Sequence, residues 1–154
     1  MLGQIVITEI MYNPVGFEDD EAEFIELYNM TFGPIDLSGC VLKDAPEDEG
    51  SPLTDMILNT GEYGIVGRTT NPEFYGGVTP MATFDFNLNN GGDSVILECD
   101  GVVFDQVDYD DGGDFPEATG ASLQVRPGAE DIDSNDDPTR RCLASENYAG
   151  ENLG

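Results

Sequence analysis

Short runs of β-branched and aromatic residues, recurring about every ten residues, predict an all-β domain of the sandwich or barrel kind. Two further observations agree. No segment keeps apolar residues at three- and four-residue spacing, so no helix of length is expected. Glycine occurs 19 times and proline 9 times, largely between the runs, which supplies the tight turns that many short strands require.

The elements follow in chain order. Residues 4–12 read as the first strand, an apolar stretch broken by Glu9. Asn13-Pro14 ends it, because the proline ring removes a donor and fixes φ. An acidic loop follows at 16–21. Residues 23–29 alternate, with Ile25 and Leu27 on one face and Phe24, Glu26 and Tyr28 on the other; Ile25 and Leu27 are placed in the core. Residues 35–37 lead into a third strand at 39–42, with a bend at Gly39. Runs at 56–58 and 63–66 flank the turn signal Asn59-Thr60-Gly61, and 82–86 reads as an edge strand. Residues 94–99 and 102–109 read as a hairpin, since Asp100-Gly101 suits the positive backbone angles of a type I′ turn. Beyond Tyr109 come an acidic Gly-rich loop, a short strand near 122–125 and irregular chain to the end.

A chain of 154 residues with 39 % apolar content supports one hydrophobic core, hence a single domain over 1–154. The charge is extreme: 32 acidic residues against 5 basic ones, a net −27. Lys43, Arg68, Arg126, Arg140 and Arg141 are the whole basic complement, and only the last two adjoin. Binding a phosphate backbone needs cations to displace counterions, so no nucleic-acid partner is expected. No apolar run approaches the ~18 residues of a bilayer span, so membrane insertion is not expected either. Divalent cations, cationic surfaces and neutral polysaccharide remain as partners, beside the simpler role of high charge in solubility. Histidine is absent. That removes the commonest ligand of zinc and copper and leaves calcium, with its oxygen ligands, as the metal to expect.

Five segments in register carry a resemblance. They are Ile5 to Pro14 (IVITEIMYNP), Glu23 to Asn29 (EFIELYN), Ile35 to Gly39 (IDLSG), Gly92 to Leu97 (GDSVIL) and Asp105 to Tyr109 (DQVDY). In that order the chain resembles the bacterial lamin-tail domain, over about Ile5 to Leu153. The resemblance implies an immunoglobulin-like β-sandwich, to which the residues themselves add long acidic loops and no substantial helix. It also implies a secreted or surface protein of bacteria, a non-catalytic role, and no catalytic residues to carry over. The stretch from Asp133 through Cys142 to Leu153 is similar to the family's C-terminal part, although Arg141 stands where members commonly have Trp. The abrupt ends suggest a domain excised from a longer exported protein.

Asp131, Asp133, Asn135 and Asp137 fall at alternate positions, a pattern that suits calcium on a tightly turning loop. An EF-hand is rejected, because Asp136 stands where Gly is required and Cys142 where a bidentate Glu belongs. A solvated turn is the plainer alternative. Asp108, Asp110, Asp111 and Asp114 form a second acidic cluster, and residues 18–21 a third. Serines lack a histidine to activate them, and among so many carboxylates no pair stands out as a glycosidase dyad. An enzyme is not expected.

Cys40, Cys99 and Cys142 include no Cys-x-x-Cys pair, so an exported chain would hold one disulfide and one thiol. Joining Cys99 to Cys142 would pin the C-terminal stretch to the sandwich, and joining Cys40 to Cys142 is the alternative. Tyr12, Phe17, Tyr75, Tyr109, Phe115 and Tyr148 lie in or near loops. They would either cap the sandwich ends or offer rings to a sugar. The expected function is an interaction, adhesion or spacer module, stabilised by calcium if that loop binds it. The alternatives are a structural subunit joined by self-association through a sheet edge, and a carbohydrate-binding appendage of a secreted hydrolase.

Overall fold

The computed structural model describes residues 5–110, 122–125 and 141–143. In chain order the elements are β1 (Ile5–Met11), a one-turn helix α1 (Asp19–Ala22), β2 (Phe24–Asn29), β3 (Ile35–Asp36), β4 (Cys40–Lys43), β5 (Ser51–Pro52), β6 (Ile57–Leu58) and β7 (Tyr63–Gly67). A 3₁₀ turn (Pro72–Tyr75), β8 (Ala82–Thr83), β9 (Gly92–Cys99), β10 (Val102–Asp110), β11 (Leu123–Val125) and β12 (Arg141–Leu143) complete them. One sheet has the order β12-β11-β1-β2-β7-β8, the other β10-β9-β4-β5, and β3 pairs with β6 as a small third unit. All pairs are antiparallel except β7 with β8. This is an all-β, immunoglobulin-like architecture, and no described helix is long and apolar enough to cross a membrane.

A bulge explains why β1 does not alternate simply. The register with β2 shifts between Ile7 and Glu9, which inserts Thr8 as an extra residue and resets the facing. Ile5 and Ile7 before it, and Ile10 and Tyr12 after it, all enter the main core. Ile25 and Leu27 join them, as do Leu42, Val95, Leu97 and Val107 from the opposing sheet. Tyr12 and Tyr109 stack inside this core with ring centroids 4.5 Å apart. With Tyr75 fully buried as well, three of the loop-adjacent aromatics serve packing.

The other face of the larger sheet is also covered. Met11, Phe24, Ile65 and Tyr75 form a second buried cluster. The Tyr75 hydroxyl donates to the carbonyl of Glu21 and accepts from the amide of Thr69, tying α1 to the 3₁₀ turn. Gly67 permits this close packing, because a Cβ there would lie 2.7 Å from the Tyr75 ring.

The hairpin of β9 and β10 turns at Asp100 and Gly101, with φ of 50° and 80°, as a type I′ turn requires. Several elements differ from the sequence reading. The expected third strand divides into β3 and β4, which serve different sheets. The 82–86 strand contracts to Ala82–Thr83, at the sheet edge. The chain read as irregular to its end contributes β12, paired with β11.

The disulfide is a correction. It joins Cys40 to Cys99, not Cys99 to Cys142. Cys40 and Cys99 are direct cross-strand partners of β4 and β9, with Cα atoms 4.0 Å apart. Cys142 lies on β12 opposite Gln124, at the far edge of the other sheet. Closing a 59-residue separation restricts the unfolded chain, worth ~2–4 kcal/mol.

Candidate functional site

Glu23 precedes β2 and Arg68 follows β7, so the β2–β7 ladder sets them side by side. The ladder pairs Phe24 with Gly67, and the Arg68 amide donates to the Glu23 carbonyl at 3.3 Å. The side chains then meet. Arg68 Nη1 donates to Glu23 Oε1 and to Asn87 Oδ1, both at 2.8 Å. Glu23 Oε2 accepts from the Leu88 amide at 2.9 Å. The Glu23 side chain is wholly buried and that of Arg68 is 10 % exposed. The guanidinium also lies over the Phe84 ring, 5.6 Å from its centroid, a favourable cation–π placement.

Above this pair lies a cleft of about 660 Å³ in which Arg68 is joined by the acids Glu18, Asp20 and Asp85. The amides Asn87, Asn89 and Asn90 form another part of its wall. A second depression of about 380 Å³ shares Asp85 and adds hydroxyls from Ser51, Thr54, Thr70 and Thr83. Asp85 is held in place by Ser51, whose hydroxyl donates to its carboxylate at 2.8 Å. The surroundings therefore supply both donors and acceptors.

A different polar arrangement lies under the sheet. Glu9 and Glu26 are register partners on β1 and β2, and both are fully buried. Thr8 Oγ1 donates to Glu26 Oε1 at 2.8 Å, and Ser122 Oγ donates to Glu9 Oε1. Burial, and then the nearby charge of Glu9, push the Glu26 carboxyl up to about 8, while the Thr8 hydrogen bond pulls the other way. Glu26 therefore holds its proton at neutral pH. Asp44 is pushed up to about 6 by partial burial, a hydrogen bond with Asp48 and the charge of Asp93. Asp105 joins the sheets, its Oδ2 accepting from the Ile7 amide at 2.8 Å.

Asp131, Asp133, Asn135 and Asp137 lie outside the described residues, as do Phe115 and Tyr148. In the second acidic cluster, Asp108 accepts from Ser94 and Gln106; Asp111 and Asp114 are outside the description. Residues 18–21 run into α1, and Glu18 and Asp20 line the cleft. Among the described residues no group of three or more His, Cys, Asp or Glu is placed to hold a metal.

Sequence reasoning did not single out Glu23, Asn87, Asn89 or Asn90 as site residues. Arg68 offered a signal: it is one of only 5 basic residues, and it directly follows an apolar strand.

A small β-sandwich with a buried ion pair under an open polar cleft is, as a class, an immunoglobulin-like module. Its family follows from the chain: the Lamin Tail Domain family matches residues 2–111, more than half the sequence. The chain belongs to the lamin tail domain family. The matched span stops short of the C-terminal stretch from Asp133 to Leu153. No curated protein and no solved structure matches the chain.

Proposed function

We propose that this lamin tail domain is a non-catalytic interaction module of a secreted or surface-borne bacterial protein. The observation that carries this reading is how the polar groups are divided. Glu23 and Asp105 are buried and bonded inward, to Arg68 and Leu88 and to the Ile7 amide, whereas exposed acids and amides gather around an open cleft. A binding surface fits that division better than a reaction centre, which needs a positioned nucleophile or acid–base pair within reach of substrate. The Cys40–Cys99 bridge supports an oxidising compartment.

The test is retention of the full chain on insoluble envelope polysaccharide and on immobilised envelope protein, beside turnover assays with ester, glycoside and peptide substrates. Retention without turnover is the expected result, and turnover of any of the substrates overturns it. Calcium stabilisation through Asp131, Asp133, Asn135 and Asp137 is a separate part of the proposal. Unfolding under non-reducing conditions should move to higher temperature with calcium and back with chelator, because a ligand stabilises the state it binds. Asp133→Ala should abolish the shift; an unmoved wild type removes calcium from the account.

Self-association through a strand edge is the second reading. It is favoured by β10, nine residues long at the end of its sheet, with Val102 and Val103 45 % and 44 % exposed. A register shift between Val103 and Asp105 and the inward-facing acid Asp105 are features that blunt an edge. Light scattering over a concentration series is expected to give the monomer mass, and a mass rising with concentration supports edge pairing instead.

A further inference from the structure

We propose that the cleft over Arg68 binds the hydroxyl groups of a neutral saccharide chain, an inference that rests on the interaction-module reading and names its ligand class. The argument starts from the hydrogen bonds that remain to be made. Arg68 commits Nη1 to Glu23 and Asn87. Its Nε and Nη2 donors have no acceptor among the described residues, although the side chain is nine-tenths buried and lines the cleft. A guanidinium has five donors in a fixed plane, and open donors facing a cleft suit acceptor oxygens. The floor of the cleft asks for an acceptor.

The walls ask for something else. Glu18, Asp20 and Asp85 present carboxylates, which accept hydrogen bonds, and the side-chain amides of Asn89 and Asn90 offer both donor and acceptor. An anionic ligand would satisfy Arg68 but face three carboxylates, and the charge of Arg68 is already balanced by Glu23 2.8 Å away. A cation would suit the carboxylates but meet guanidinium donors at the floor. A neutral ligand that both gives and receives hydrogen bonds meets neither penalty. A hydroxyl does both at one oxygen. Paired hydroxyls on a sugar ring also match the two-pronged geometry of carboxylate, amide and guanidinium groups.

Peptide recognition would more usually need pockets for apolar side chains. Among the described residues lining this cleft only Leu88 is apolar, and it is buried. The second depression, which shares Asp85, supplies four further hydroxyl-bearing residues, which suits a chain of sugar units over a single one. Phe17, next to Glu18 in sequence, keeps a half-exposed ring packed edge-on against Phe74 at 5.2 Å. A fixed aromatic ring beside polar groups can cover the apolar face of a sugar.

The experiment is saturation-transfer NMR on the full chain with neutral hexasaccharides of glucose, mannose, xylose and N-acetylglucosamine, at low and high salt. At least one should bind, with an affinity that salt leaves nearly unchanged, since no net charge is exchanged. The Asn87→Ala/Asn90→Ala double variant should bind about tenfold more weakly while unfolding within a degree or two of wild type. Arg68→Lys, which keeps the charge but loses the planar fork, should weaken binding further; its unfolding curve checks that it is folded. Three results overturn the inference: no hexasaccharide bound, binding unchanged in the double variant, or a preference for oligolysine that fades with salt. Retention on envelope protein, with no saccharide bound, would sink this inference and leave the interaction-module reading standing. Catalytic turnover would sink both.

Discussion

Glu23, just before β2, and Glu26, within it, stand three residues apart, and both are wholly buried, yet the fold treats them in opposite ways. Glu23 turns toward Arg68 and the Leu88 amide, so its charge is balanced and hydrogen-bonded. Glu26 faces another acid, Glu9, and a threonine hydroxyl, and its Oε2 has no hydrogen-bond partner among the described residues. The first carboxylate is kept charged by a partner, and the second is kept neutral by holding a proton. A buried carboxylate needs one of the two, since an unbalanced charge in the interior costs several kcal/mol. Odd spacing makes the difference. Residues 23 and 26 project to opposite faces of the strand, and Arg68, two residues beyond Val66, the partner of Ile25, projects to the face of Glu23 and not to that of Glu26.

Removing the cation should have the largest effect. Arg68→Met leaves Glu23 buried without its counterion and should cost about 3–5 kcal/mol of unfolding free energy, read from urea denaturation. Adding Glu23→Gln should recover much of that loss. A single variant within 1 kcal/mol of wild type would mean that the pair contributes little and that the contrast with Glu26 is not real.

Next in size is the pH response of Glu26. Its folded value, about 8, lies above its ordinary value of 4.5, so the folded state keeps a proton that the unfolded chain releases. Its contribution is therefore fully present below about 4.5 and is lost as the pH rises through about 8. The loss should amount to roughly 2–4 kcal/mol. The net charge of −27 acts in the same direction, so the Glu26→Gln variant is the control. It should flatten the fall and exceed wild type in stability above pH 8. Parallel wild-type and variant profiles would show that Glu26 is not the group responsible.

Thr8→Val tests the hydrogen bond that partly offsets the shift. It should cost about 1 kcal/mol and move the Glu26 titration, followed by carboxyl NMR, to still higher pH. The smallest effect is expected at the other site. Asn87→Ala removes an exposed acceptor from Arg68 and should cost about 0.5 kcal/mol, with no change in the pH profile. A larger loss would mean that Asn87, and not Glu23 alone, holds the guanidinium.

How much of this was legible beforehand differs from element to element. Asp100-Gly101 announced its hairpin because the turn conformation is a property of those two residues. Ile25 and Leu27 announced the core because alternation along a strand decides its faces. The bulge at Thr8 was invisible, since Ile10 and Tyr12 are as apolar as Ile5 and Ile7 and no pattern marks where the facing resets. β5, with only Ser51 and Pro52, carried no strand signal at all. Nothing local marked Lys43 as a buried residue paired with Glu98 across the strands at 2.7 Å.

The residues and their order alone set the all-β class, the hairpin, the core-facing residues of β2 and the extreme negative charge. Each follows from local preference, from period or from composition. Folding in three dimensions is what pairs Cys40 with Cys99, brings Arg68 to Glu23 and Asn87, and puts Glu9 and Glu26 in one buried space. Those meetings join residues far apart in the chain, and strand order and register bring them together. A shift of one residue in either would turn the same side chains to the opposite face.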